Sequence, residues 1–370
     1  RDKLVTGVQT CALPILHFYH EVPRFDFTYA RPGARFPVFP ADPAVYRSFG
    51  VEPPAPAHRD LEKEKRLRGL LDSASKRGWE IMFFGAGQTG GRLPADKDPF
   101  GVVSTVSGVA DTMRAFPQAH GVILDGAGEQ HYELDFHHGG ELLEIRDHHK
   151  QQFQAQGMDV ERMERGIGRL RKRMHSLTPS LVRYHAPGGM MGALALFDID
   201  EDLLYWLRCR QELTLRSMAA LRRQIDGLGR KVKLGTIPRA ASFSTLTTQD
   251  YQRTHPFFDY IFPKHYFWHR GFDGMYGTVA RWVRVLGEWN PALTEQDCFA
   301  VVKSWFGLSL PGVNSLADMD LGFTDEFFTE VVYSETRRAL EAVGDANKGI
   351  AWGSAGRNPH AGDPMSGRDL

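Results

Sequence analysis

Short apolar runs alternate along this chain with longer stretches of helical period. Leu16–Tyr19 (LHFY), Trp79–Phe84 (WEIMFF), Gly121–Leu124 (GVIL), Lys231–Leu234 (KVKL), Asp259–Phe262 (DYIF), Leu308–Val313 (LSLPGV) and Gly349–Trp352 (GIAW) read as seven strands, the first a stub. The pattern predicts helices over Asp60–Arg77, Asp159–His175, Met275–Leu286 and Thr324–Val343. A further long helix opens at Asp200, with Glu201 and Asp202 in its first turn, where the helix dipole favours anions. Leu203, Leu207, Leu215, Met218, Leu221 and Ile225 form its apolar stripe, and Gly227 stops it. A proline-rich connection from Pro23 to Pro56 separates the first two strands. Strand–helix alternation is the pattern of parallel βα units.

The strand ends decide between the possible α/β folds. Asp125 follows the third strand, Arg239 the fourth, Lys264 and His265 the fifth, Asp318 and Asp320 the sixth, and Arg357 the seventh. A (β/α) barrel of the TIM type opens all those loops on its carboxyl face, where its active sites lie. The expectation is therefore a single barrel with one site.

Composition changes this picture little. Lys+Arg and Asp+Glu number 45 each, so the net charge is zero, which argues against nucleic acid or a membrane surface as partner. No run approaches the ~18 apolar residues of a membrane span. Cys11, Cys209 and Cys298 are too few for a disulfide framework and lack metal-ligand spacing. Residues 5–15 (VTGVQTCALPI) resemble a translated sequencing-library adapter. The expectation is thus a non-native segment over 1–15 and a barrel over 16–370 truncated at both ends, its last strand and helix missing, with the compartment left open.

Residues 85–90 (GAGQTG) spell GxGxxG after a strand, but Gly91, Pro94 and Pro99 forbid the helix a dinucleotide needs there. A rim loop is the better reading, and no cofactor is expected. The strongest constellation is His120–Glu133 (HGVILDGAGEQHYE). A strand buried on both faces has no reason to end in a carboxylate unless that group points into the barrel mouth. Asp125 and Glu129 could then divide acid and base or nucleophile roles, with Asp318 and Asp320 as alternative partners. The plainer reading makes all four caps and turn formers.

The loop at 263–277 (PKHYFWHRGFDGMYG) gathers Lys264, His265, Tyr266, Trp268, His269, Arg270 and Asp273. Aromatic faces flanked by hydrogen-bonding cations suit sugar rings, and Arg239 and Arg357 join them as candidate substrate contacts. His265 and His269 have a zinc-like spacing, but Pro263 and Gly271 argue against the helix it requires, so no metal is expected.

GVILDG with its acid-bearing loop, LGTIPR, DYIFPKHYFWHRGFDG and the LPGV…ADMD segment resemble a loosely characterised group of bacterial glycoside-hydrolase-like barrels. The resemblance implies a (β/α)₈ barrel that cleaves a carbohydrate with acids at its strand ends. Many retaining barrels carry glutamates after the fourth and seventh strands. Here LGTIPR has no acid and Arg357 follows the seventh, which leaves Asp125, Glu129, Asp318 and Asp320. The alternatives are a metal-dependent barrel hydrolase using His265, His269 and an aspartate, or a non-catalytic carbohydrate-binding barrel.

Overall fold

The computed structural model describes residues 15–18, 43–48, 50, 52, 61–84, 95–134, 142–265, 267, 274–320 and 324–352. Its centre is a parallel sheet of β1 (Ile15–Phe18), β2 (Glu80–Phe84), β3 (Gly121–Asp125), β4 (Lys233–Ile237) and β5 (Tyr260–Ile261), ordered as in the chain. Parallel bridges from Ile261 to Gly349 and from Lys264 to Trp352 extend the pairing to the predicted seventh strand. The fold is thus α/β with a parallel sheet, as the alternation implies. Of the adapter-like segment 1–15, residues 1–14 lie outside the described residues, and Ile15 pairs with Glu80 as the first residue of β1.

Helices α1 (Pro43–Ser48), α2 (Leu61–Lys76) and α3 (Val103–Ala115) precede β3. Between β3 and β4 come α4 (Asp147–Ala155), α5 (Val160–Met174), α6 (Pro179–His185), α7 (Gly189–Phe197) and α8 (Glu201–Asp226). The short α9 (Ala241–Ser244) and α10 (Tyr251–Thr254) precede β5; α11 (Met275–Trp289), α12 (Glu295–Phe306), α13 (Leu316–Asp320) and α14 (Tyr333–Val343) follow it. A π-helical stretch, Phe327–Val332, runs directly into α14.

One expected strand is absent. Leu308–Val313 is irregular chain between α12 and α13. Pro311 cannot donate to a sheet ladder, and Gly312 adopts a positive φ of 74°. Leu308, Leu310 and Val313 bury themselves in the helical core instead. The apolar run is thus a buried segment of the helical core and not a strand.

The strand registers sort the sheet residues into two faces, because side chains alternate along a strand and registered neighbours share a side. Ile81, Phe83, Val122, Leu124, Leu234 and Ile261 pack with Leu67 and Leu71 of α2, Val106 and Val109 of α3, Met218, Leu221 and Ile225 of α8, and Ala339 and Val343 of α14. Met82, Phe84, Ile123, Ile237 and Phe262 form a separate cluster on the other face, with Tyr260, Ile350 and Trp352 against it. At the amino end of that second face, Lys233 Nζ donates to the Glu80 carboxylate and, at 3.0 Å, to the Tyr260 hydroxyl.

A larger helical core joins α5, α6, α7, the first half of α8, α11 and α12. Charges fasten part of it. Asp202, in the first turn of α8, accepts from Arg162 at 2.8 Å, Arg169 at 3.2 Å and Arg165 at 3.3 Å, all on α5. Arg169 also meets Asp200, and Arg173 lies 3.9 Å from Asp198. Chiefly through Arg162, this crowd of guanidinium groups holds the Asp202 carboxyl below its ordinary pKa. Asp200 also caps α8, accepting from the Leu203 N–H at 2.9 Å.

The second face tolerates no extra volume at its middle. A Cβ on Gly235 would lie 2.7 Å from the Phe262 ring and 3.1 Å from Ile123, both fully buried. Gly235→Ala should therefore destabilise the fold by about 1–3 kcal/mol, the usual cost of overpacking. Urea unfolding would show this as a lower midpoint at unchanged slope; an unchanged midpoint would mean the face is looser than described.

Candidate functional site

β3 ends in Asp125, and a tight turn brings Glu129 back beside it. Gly126 (φ 57°) and Gly128 (φ 66°) take the left-handed conformation open to glycine. The Glu129 N–H closes the turn on the Gly126 carbonyl at 2.8 Å. The glutamate side chain folds over it so closely that a Cβ on Gly126 would sit 2.6 Å from Glu129 Oε2. DGAGE is therefore a single structural unit, with a glycine at 126 where a side chain would displace the second acid.

Each of these acids meets a cation from further along the sheet. Arg239, two residues beyond β4, donates from Nε to Glu129 Oε1 at 2.5 Å. Both side chains are almost wholly buried, with 1% of Arg239 and 6% of Glu129 exposed. The Arg239 guanidinium lies over the Tyr132 ring, 5.7 Å from its centroid. The Tyr132 hydroxyl pairs with that of Thr278 at 2.9 Å, and the Tyr251 hydroxyl donates to the Arg239 carbonyl. Burial drives both phenols well above their ordinary pKa, so they remain protonated donors.

Lys264, three residues beyond β5, reaches back to Asp125 at 3.0 Å. Only 4% of the lysine side chain is exposed, against 52% for the aspartate. The Lys264 N–H donates to the Pro238 carbonyl, and the chain around it pairs with the Trp352 strand through His265 N–H to Trp352 O and Trp352 N–H to Pro263 O, all at 2.9 Å. Trp352 stacks on Phe84 at 5.7 Å and meets Phe262 edge-on. Phe84, Asp125, Ile237, Lys264 and Trp352 thus belong to one layer at the carboxyl end of the second face. His265 is buried, its Nε2 lying 3.4 Å from the Thr336 hydroxyl.

Asp125, Glu129, Arg239 and Lys264 therefore gather at the ends of three neighbouring strands, whereas the His265 side chain turns away toward Thr336 on α14. Asp318 and Asp320 follow no strand, since the sixth does not form. Asp318 accepts the Asn314 and Ser315 N–H groups, each at 2.9 Å, which depresses its pKa and marks it as a capping residue of α13. Asp320 accepts the Tyr276 hydroxyl. Tyr266, Trp268, His269, Arg270, Asp273 and Arg357 lie outside the described residues. Among the described residues no three His, Cys, Asp or Glu side chains are placed to share a metal ion, and no helix is long and apolar enough to cross a membrane.

Sequence reasoning did not single out Tyr132, Tyr251 or Trp352. Tyr132 lies inside the quoted HGVILDGAGEQHYE stretch and could have been noticed there. Tyr251 and Trp352 carry no local signal, because their roles come from contacts distant in sequence. No family model matches the chain, and no curated protein matches it in sequence.

Burial lowers the His265 pKa from 6.5 to about 4, partly offset by the Pro263 carbonyl. The folded state then holds a neutral imidazole where the unfolded chain would already be protonated. Stability should be complete above pH 6.5 and fall as the pH drops toward 4, by on the order of 3 kcal/mol for this group. Urea midpoints at pH 7 and pH 4.5 should separate less in His265→Gln than in the wild type. Equal separations would show that His265 contributes nothing to acid sensitivity.

Proposed function

We propose that the chain folds as a (β/α) barrel carrying a carbohydrate-active hydrolase site at its carboxyl rim, with Asp125 as the essential carboxylate. Strands laid down in chain order, with helices on one face and a self-packed second face, support the barrel. In that architecture the second face becomes the interior, and the layer of Phe84, Asp125, Ile237, Lys264 and Trp352 lies at its mouth. Glycosidic cleavage requires two carboxyl groups across the scissile bond, one to protonate the leaving oxygen and one to attack or to activate water. Asp125 and Glu129 are the two acids that a single turn holds at this rim.

The observation that carries the reading is the contrast in exposure. Asp125 presents half of its side chain to solvent, while the cations that orient the two acids are withdrawn behind them. A substrate approaching the rim meets a carboxylate whose direction is already fixed, which is the preorganisation such chemistry needs. The aromatic loop at 263–277 supports a sugar ring as the ligand. Catalysis here relies on residues of this chain alone, and the reading requires neither a nucleic acid nor a membrane as partner.

Asp125→Asn removes the charge and keeps the shape. Assayed on a panel of neutral p-nitrophenyl glycosides, it should lower kcat by at least about 10²–10⁴-fold, the usual worth of a catalytic acid or base. The substitution also leaves buried Lys264 facing an uncharged partner, which itself costs stability. Thermal melts of Asp125→Asn and of Asp125→Asn/Lys264→Met separate the two effects. Wild-type turnover by a folded Asp125→Asn protein would remove Asp125 from the chemistry.

A further inference from the structure

The turn that carries Glu129 is shaped from behind by residues 247–249. Gln130 N–H donates to the Thr247 carbonyl at 3.1 Å, and Gln249 Nε2 donates to the Ala127 carbonyl at 2.7 Å. Between them, the Thr248 hydroxyl pairs with that of Thr214 on α8 at 2.7 Å, and the Thr214 hydroxyl donates to the Gly128 carbonyl at 3.1 Å. The Thr248 hydroxyl also lies 2.5 Å from the Thr247 carbonyl; when its proton turns to Thr214 instead, the two hydroxyls form one relay ending on the turn. Residues 127, 128 and 130 are thus each held by a backbone contact to this segment or through it.

Thr248 pays for its position in backbone conformation. Its φ is 71°, one of two positive values at non-glycine residues among those described, and the other, Asp198, is a residue type that tolerates this region. A β-branched residue does not. Thr248 is buried, so solvent does not relieve the strain, and the hydrogen bonds on either side keep the conformation in place. A strained residue that persists beside a candidate site points to a function for the strain.

We propose that Thr248 is a positioning residue for Glu129: its left-handed backbone lets residues 247–249 serve as a template on which the turn from Gly126 to Gln130 is wound. The hydroxyl must reach Thr214 while the flanking Thr247 carbonyl and Gln249 amide face the turn, and the positive φ permits all three at once. What the template fixes is the placement of Glu129 relative to Asp125, the quantity that governs how two carboxyl groups share a glycosidic cleavage. The activity arm of the test rests on the hydrolase reading; the template itself does not.

The experiment compares Thr248→Gly, Thr248→Ser and the wild type over the full chain. Glycine adopts this conformation without strain but lacks the hydroxyl, so Thr248→Gly should melt at or above the wild-type temperature. Its Glu129 and Gln130 amides should nevertheless exchange with solvent at least roughly 10-fold faster, because the Thr214 hydroxyl loses the neighbour that holds it against Gly128 and the 247–249 backbone is no longer fixed behind the turn. On any glycoside the wild type hydrolyses, kcat should fall roughly 10- to 100-fold with KM little changed, the cost of a misplaced catalytic group. Thr248→Ser keeps the hydroxyl and should recover both amide protection and kcat. If Thr248→Gly keeps wild-type amide protection, or keeps kcat while only its melting temperature moves, Thr248 is a packing residue and the proposal is wrong. If the wild type hydrolyses no glycoside, the hydrolase reading fails by itself and amide exchange alone decides the template.

Discussion

Among the described residues, helices α2, α3, α8 and α14 all stand on one face of the parallel sheet, and the opposite face packs on side chains of its own strands. That constraint governs much of what is built on the second face. It explains the glycine at 235, which makes room for the Phe262 ring beside Ile123. It explains why charge at the amino end appears as a matched set, Glu80 with Lys233 and Tyr260, since an unpartnered charge there would be far costlier. At the carboxyl end the same face reaches solvent, and the layer changes from purely apolar to Phe84, Asp125, Ile237, Lys264 and Trp352.

The rim charges follow a consistent arrangement. Both carboxylates belong to the β3 turn, and both cations arrive from beyond the next two strands, Arg239 after β4 and Lys264 after β5. The pairs therefore tie neighbouring strand ends together as well as orienting the acids. Arg239 is better placed to hold Glu129 than to touch a ligand, because its side chain is buried between the glutamate and the Tyr132 ring. Lys264 bears the same relation to Asp125, but there the carboxylate remains open to solvent.

Much of the scaffold was legible in the chain. Apolar runs bounded by polar residues located β1 to β5 within a few positions, and the 3.6-residue period located α5, α8 and α11. The error at Leu308–Val313 has a simple cause: a short apolar run has no periodicity that separates a strand from a loop buried in a helical core, and Pro311 was the overlooked sign. Asp125 and Glu129 were legible because a carboxylate at the end of a buried strand is anomalous. Their partners were less so, since Glu129 and Arg239 are 110 residues apart in sequence and only the folded sheet joins them. The left-handed backbone of Thr248 left no trace at all, because threonine is the wrong residue for it.

The charges between α5 and the start of α8 act as a vernier. Arginines at 162, 165, 169 and 173 repeat every three or four residues along a helix, while aspartates at 198, 200 and 202 repeat every two along an extended approach and a first helical turn. Three of the arginines converge on Asp202, and Arg169 and Arg173 carry the row on to Asp200 and Asp198. Sliding α5 by one turn, about 5.4 Å, would leave arginine at one end of the row and aspartate at the other without a counterpart. The same offset is set sterically by Gly166, where a Cβ would lie 2.4 Å from the Leu203 backbone nitrogen, so close backbone approach and charge matching fix the same position of α5 along α8.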